Sequence, residues 1–109
     1  MSLVELRDIL LTIGVPVFHY FASGQIGNYI VWAEDGQVRA GHGDNHMTTQ
    51  IIQGTIDYFT KTEFDPVFNA IQLKLNSANM AWELNSIQHE ADTGYIHYEW
   101  AFEVVNSVG

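Results

Sequence analysis

Apolar residues recur along this chain with two different periods. Near the start, Leu3, Leu6, Ile9, Leu10 and Ile13 fall on one stripe, with Glu5, Arg7, Asp8 and Thr12 mostly off it. That is the 3.6-residue spacing of an amphipathic helix. Ser2 and Glu5 stand three residues apart, the spacing of a capping box, in which each side chain satisfies a free N–H of the first turn. Gly14 and Pro16 end this helix. In the last third, Ile96, Tyr98, Trp100, Phe102 and Val104 alternate with His97, Glu99, Ala101 and Glu103. Period two with one apolar and one acidic face predicts a half-buried antiparallel strand. Trp82 and Leu84 begin a similar alternation, and Asp92-Thr93-Gly94 supplies the turn that pairs the two runs.

The middle of the chain fills in the order. A short strand over Val17 to Phe21 follows Pro16, and Ser23, Gly24 and Gly27 mark a loop. Tyr29, Ile30, Val31 and Trp32 carry a second strand, which Asp35-Gly36 closes as a turn signal. From Gly36 to His46 no period can be read, which predicts a mobile loop or the tip of a long hairpin. Met47 to Thr60 is rich in β-branched and aromatic residues and predicts a long third strand, with Gly54 marking a bulge or a close approach. Asp65-Pro66 is an N-cap followed by proline at the first helical position. Val67, Phe68, Ile71, Leu75 and Ala78 then predict a helix from Pro66 to about Ser77. The order α-β-β-β-α-β-β predicts an α+β fold, a mostly antiparallel sheet with two helices packed on one face. At 109 residues and 47% hydrophobic composition, a single domain over 1–109 is expected.

Composition narrows the chemistry. The absence of cysteine removes disulfides, thiolate zinc sites, iron–sulfur clusters and cysteine nucleophiles. The longest apolar stretch, Ile9 to Phe18, is broken by Thr12, Gly14 and Pro16, so no membrane span is expected. Glu5 and Asp8 outweigh Arg7, unlike the basic start of an export signal. Thirteen acidic against four basic residues give a formal charge of −9, and after Lys74 no Lys or Arg occurs while Glu83, Glu90, Asp92, Glu99 and Glu103 follow. Nucleic acid is gripped by cations that displace counterions, and this chain has few.

Two histidine groupings invite a chemical reading. His42 and His46 flank Asp44, and two imidazoles with a carboxylate are a possible ligand set for a metal. Gly43 and the Asp44-Asn45 pair favour a solvated loop, where nothing fixes that geometry. His89 and His97 lie on the two arms of the final hairpin, with Glu90 and Asp92 at its turn; a cross-strand histidine–carboxylate contact is expected there, and hairpin structure alone accounts for it. Nucleophile-elbow, phosphate-loop and dinucleotide fingerprints are missing, so neither an enzyme nor a cofactor is expected. Tyr20, Tyr29, Trp32, Tyr58, Phe59, Tyr95 and Trp100 read as sheet packing, part of which can cover a subunit interface.

Residues 55 to 68, Thr55-Ile56-Asp57-Tyr58-Phe59-Thr60-Lys61-Thr62-Glu63-Phe64-Asp65-Pro66-Val67-Phe68, and 82 to 104, including Glu90-Ala91-Asp92-Thr93-Gly94-Tyr95-Ile96-His97-Tyr98-Glu99-Trp100, resemble small neck and tail proteins of long-tailed bacteriophages. The resemblance is to tail completion or tail terminator proteins, often encoded in prophages. It implies a structural α+β protomer that assembles into a ring, commonly a hexamer, on the head-proximal end of the tail tube. The implied partners are copies of itself, the major tail tube protein and the head connector protein, in the virion neck after assembly in the bacterial host cytoplasm. DNA would pass through without specific binding, since a lumen lined with carboxylates repels phosphates. Glu83, Glu99 and Glu103, with Asp44 and Asn45, are the candidate lumen or interface positions, against the plainer expectation of a solvated strand face. Two alternatives stand beside this reading: a head-side connector or minor capsid protein, and a small metal- or ligand-binding protein using the 42–46 loop.

Overall fold

The computed structural model describes residues 2–43 and 46–108. The elements run α1 (Leu3–Leu11), β1 (Val17–His19), β2 (Tyr29–Gly43), β3 (His46–Thr60), α2 (Pro66–Ser77), β4 (Ala81–Glu90) and β5 (Tyr95–Ser107). This is the α+β order that the hydrophobic pattern predicts. Both helix starts form as their caps require. Ser2 and Glu5 make the reciprocal capping box on α1, and the Asp65 side chain accepts from the Val67 N–H at the head of α2. Helix α1 is capped by Thr12 after Leu11, and Gly14 follows at φ +97, a left-handed step that is cheap for glycine.

The five strands form one sheet in the order β1-β2-β3-β5-β4. All neighbours are antiparallel except β1, which runs parallel to β2 over Val17–His19. Strand β1 stops at His19, short of the expected Phe21, because Tyr20 takes a positive φ of 77 and the backbone leaves the extended region. Its N–H still donates to the Trp32 carbonyl at 2.9 Å.

The stretch from 36 to 46 corrects the expectation that Asp35-Gly36 closes the second strand. Strand β2 continues to Gly43, and β3 begins at His46, so residues 36–43 lie in a long β2–β3 pairing, the hairpin alternative of the two expected and not the loop. Asp35 is absorbed as a bulge between Glu34 and Gly36, and the ladder resumes with Gly36 opposite Gln53 and Gln37 opposite Ile52. The neighbouring strand supplies the hydrogen bonds that the local sequence does not advertise. Gly54 sits opposite Glu34 at this bulge. A Cβ there would lie 2.1 Å from the Ala33 carbonyl oxygen and 2.8 Å from the Glu34 Cα, so the expected close approach is real.

Both helices pack on the same side of the sheet. Leu6 and Leu10 of α1 and Ile71 and Leu75 of α2 are fully buried against Ile30, Trp32, Ile56, Tyr58, Tyr98, Trp100, Phe102 and Val104. Two indoles tie α2 to the strands, Trp100 Nε1 donating to Gln72 at 3.1 Å and Trp82 Nε1 to Asn76 at 3.0 Å. Helix α2 reaches only about 18 Å at 1.5 Å per residue, whereas a fifteen-residue strand runs about 50 Å. The hairpin therefore outruns its cover, which explains the extents of 52 × 26 × 21 Å. No described helix is long and apolar enough to cross a membrane.

Candidate functional site on the open face of the sheet

Strand alternation gives the sheet a second face that no helix covers. Phe18, Tyr29, Val31, Thr55, Asp57, Phe59, Tyr95, His97, Glu99, Ala101 and Glu103 alternate with the core residues and belong to it. On β4, Glu83 stands opposite Ala101 and shares this side.

One end of the open face is aromatic. The Tyr29 and Phe59 rings stack at 4.7 Å, Tyr95 meets both edge-on at 5.8 and 6.1 Å, and Phe18 meets Tyr29 edge-on at 6.4 Å. The Tyr95 hydroxyl donates to the backbone carbonyls of Gln25 and Gly27 at 3.2 and 2.9 Å, and Lys61 Nζ lies 4.8 Å over its ring. The cluster thereby pins the loop between β1 and β2 to the start of β5. Tyr95 is only 7% exposed, so the cluster is packing and not an empty aromatic box.

His97 sits beside this cluster, stacked on Phe59 at 4.2 Å. Its Nε2 is 2.7 Å from Asp57 Oδ1, and its Nδ1 is 3.7 Å from Glu90 Oε2. The hydrogen bond to Asp57 raises the His97 pKa; partial burial pulls it down, and the charges of Asp57, Glu90 and Glu99 add to the rise. Asp57 engages one ring nitrogen by a hydrogen bond, while Glu90, at 3.7 Å, acts on the other through charge alone. The expected cross-strand contact to Glu90 therefore exists, but the shorter partner is Asp57 on β3. His89 stands opposite Ile96 on the other side of the sheet, so the two hairpin histidines do not meet, because neighbouring strand positions alternate between faces. Asp92 lies exposed in the turn.

The other end of the open face is acidic. Glu83, Glu99 and Glu103 all lie on it, and Asp35, Glu83 and Glu103 rim a cleft of about 420 Å³ floored by Gln53, Thr55 and Ala101. Glu99 stands opposite Asp57 in the β3–β5 ladder. The three glutamates thus share one face, Glu83 and Glu103 at the cleft and Glu99 nearer His97. Asp44 and Asn45 lie outside the described residues, as do the side chains of His42 and His46. The backbone places His42 opposite Met47 and Gly43 opposite His46 at the end of the hairpin. Among the described residues, no group of three His, Asp or Glu side chains is placed to hold a metal ion.

Two further polar clusters join residues that carry no shared local signal in the sequence. At the β1 edge, His19 stacks between Tyr20 and Trp32 at 4.0 Å each, its Nε2 is 2.9 Å from Glu34 Oε1, and the Tyr20 hydroxyl donates to the same carboxylate. Burial disfavours the Glu34 charge, but the bonds from Tyr20 and His19 outweigh it and lower its pKa. Beneath the sheet end, Asp65 accepts from Tyr58 and Thr60 hydroxyls at 2.6 Å each and from the Val67 N–H at 2.9 Å. Burial and the bond to Asp65 push the Tyr58 hydroxyl up to about 12. Asp65 itself is disfavoured as an anion by burial, yet these three donors hold its pKa below the usual value. A fully satisfied buried network of this kind joins β3 to α2; the sequence marks Asp65 only as a cap, since Tyr58 and Thr60 carry no local signal of where their hydroxyls end.

The seven aromatics of the sequence analysis divide accordingly. Trp32, Tyr58 and Trp100 are in the core, Tyr29, Phe59 and Tyr95 form the open-face cluster, and Tyr20 is exposed at the edge. No protein-family model matches the chain, and the search of curated proteins finds no match.

Proposed function

We propose that this chain is a structural protein of a phage virion, of the tail terminator or head–tail joining type, which assembles as a ring at the head-proximal end of the tail tube. The observation that carries the reading is the two-sided sheet: helices cover one face, and the other, uncovered by any helix among the described residues, holds Glu83, Glu99 and Glu103. Facing a lumen, such a surface repels DNA phosphates, so the duplex slides past without sticking. The resemblance of residues 55–68 and 82–104 to tail completion proteins supports the same reading.

Electron microscopy of particles made without this protein tests the reading. Tails of irregular length and heads left unjoined are expected; tails of normal length joined to heads would overturn it. Co-purification with isolated tails, and not with isolated heads, separates this role from that of a head-side connector.

A further inference from the structure

The sheet has two long strand edges that no other strand covers among the described residues. One is β4, ten residues at the outside of the sheet. The other is the far part of β2: β1 pairs only with Ile30–Trp32, so the edge of β2 from Ala33 to Gly43 has no strand beside it. Unpaired edges are templates for another chain, and proteins usually blunt them with lysine, proline or short length. Neither edge contains lysine or proline; both carry register shifts, in β2 between Glu34 and Gly36, Gln37 and Arg39, and Gly41 and His42. The one interruption in β4 is the register shift between Leu84 and Ser86, which leaves Ala81–Leu84 as a regular segment on the hairpin side.

Direction and charge select the partner. Strand β4 runs antiparallel to β5, β5 to β3 and β3 to β2, so β4 runs opposite to β2. A second copy set beside the first in the same orientation therefore brings its β2 alongside β4 as an antiparallel pair, the more favourable ladder; since Ala81 lies level with Gly36 and Leu84 with Trp32 in the sheet, a slide along the strand sets Ala81–Leu84 against the far part of β2. The β4 edge is acidic through Glu83 and Glu90; the free edge of β2 has Glu34 and Asp35 at its start, while its far part, Gly36 to Gly43, has no carboxylate and contains Arg39 and His42. Pairing β4 with β4 across a two-fold axis would set like charges against each other, which is destabilising. The complementary pairing is head-to-tail, and a head-to-tail contact that closes by rotation makes a ring.

Resting on the ring reading above, we propose that copies of this chain join edge to edge, the Ala81–Leu84 edge of β4 in one protomer pairing antiparallel with the Gly36–Gly43 edge of β2 in the next. The sheet then runs unbroken around the ring. Because every copy keeps its orientation, the open faces with Glu83, Glu99 and Glu103 all line one side.

The cysteine-free sequence makes disulfide trapping a clean test. Glu83→Cys is combined in turn with Gln37→Cys, Arg39→Cys and Gly41→Cys, and the purified full-length chain is oxidised over a concentration series and run on non-reducing gels. Circular dichroism checks that each variant folds; Glu83 is exposed, so its change leaves the core intact. A ladder of oligomers that collapses on reduction, from at least one pair and from none of the single variants, is expected. Glu83→Arg should abolish the association seen by sedimentation, and adding Arg39→Glu should restore it. Dimers from Glu83→Cys alone would mean a two-fold contact and overturn the proposal, as would monomer throughout. Rings seen by microscopy without any of these cross-links would overturn the edge pairing while leaving the ring reading standing; normal joined tails in the absence of the protein would remove the ring reading itself.

Discussion

At Gly54 a missing side chain lets β3 lie close against the bulged part of β2. The Ala33 carbonyl and the Glu34 Cα are backbone atoms and cannot swing aside from an added methyl, so Gly54→Ala should destabilise by about 3 kcal/mol, the upper range for overpacking. Urea denaturation measures it as a lowered midpoint, and a change within a few tenths of a kcal/mol would contradict the observed approach. His97 acts through charge. Its folded pKa is raised, chiefly by Asp57, so the ion pair contributes its full stability below the ordinary imidazole pKa and loses it as pH rises through the raised value. Stability measured against pH should therefore fall across that window in the native chain. Asp57→Asn should flatten the fall, and an unchanged profile in the variant would refute the assignment.

The junction of β3 and α2 shows how one residue can serve two elements. Asp65 caps α2 and also receives the hydroxyls of Tyr58 and Thr60, so its loss costs more than the ~1 kcal/mol of an ordinary cap. Asp65→Ala leaves two buried hydroxyl donors unpartnered and should destabilise by about 3 kcal/mol. The lowered Asp65 pKa adds a sign: its contribution is present above the ordinary carboxyl pKa and is lost as pH falls through the folded value. Acid titration of the native chain and the variant should converge at low pH; a constant gap would show that the cost lies in packing and not in the charge. The hairpin of β2 and β3 is the contrasting element. It continues through a bulge and a glycine-rich run because two chains hydrogen-bond to each other, and it extends beyond the part of the sheet that the helices cover.

At the scale of the molecule, the formal charge of −9 and the placing of Glu83, Glu99 and Glu103 on one face predict that the purified protein leaves duplex DNA free at physiological salt, even at concentrations where ordinary non-specific binders, with Kd near 10⁻⁴–10⁻⁶ M, associate. Fluorescence anisotropy checks this, and saturable binding in that range would contradict a repelling surface. The order of elements, the capping box at Ser2, the proline-led start of α2 and the alternation from Ile96 to Val104 were all legible in the sequence. Each arises from interactions within a few residues, where spacing and side-chain type decide the outcome. The acidic side of β5 was legible for the same reason, since period two assigns Glu99 and Glu103 to one face. What only the tertiary structure decided are the relations between distant segments: the placing of β5 between β3 and β4, the parallel seat of β1, the passage of β2 beyond Asp35-Gly36, and the choice of Asp57, forty residues away, as the partner of His97. A hydrogen bond or ion pair across strands depends on which backbone lies alongside, and the packing of the whole sheet against its two helices fixes that.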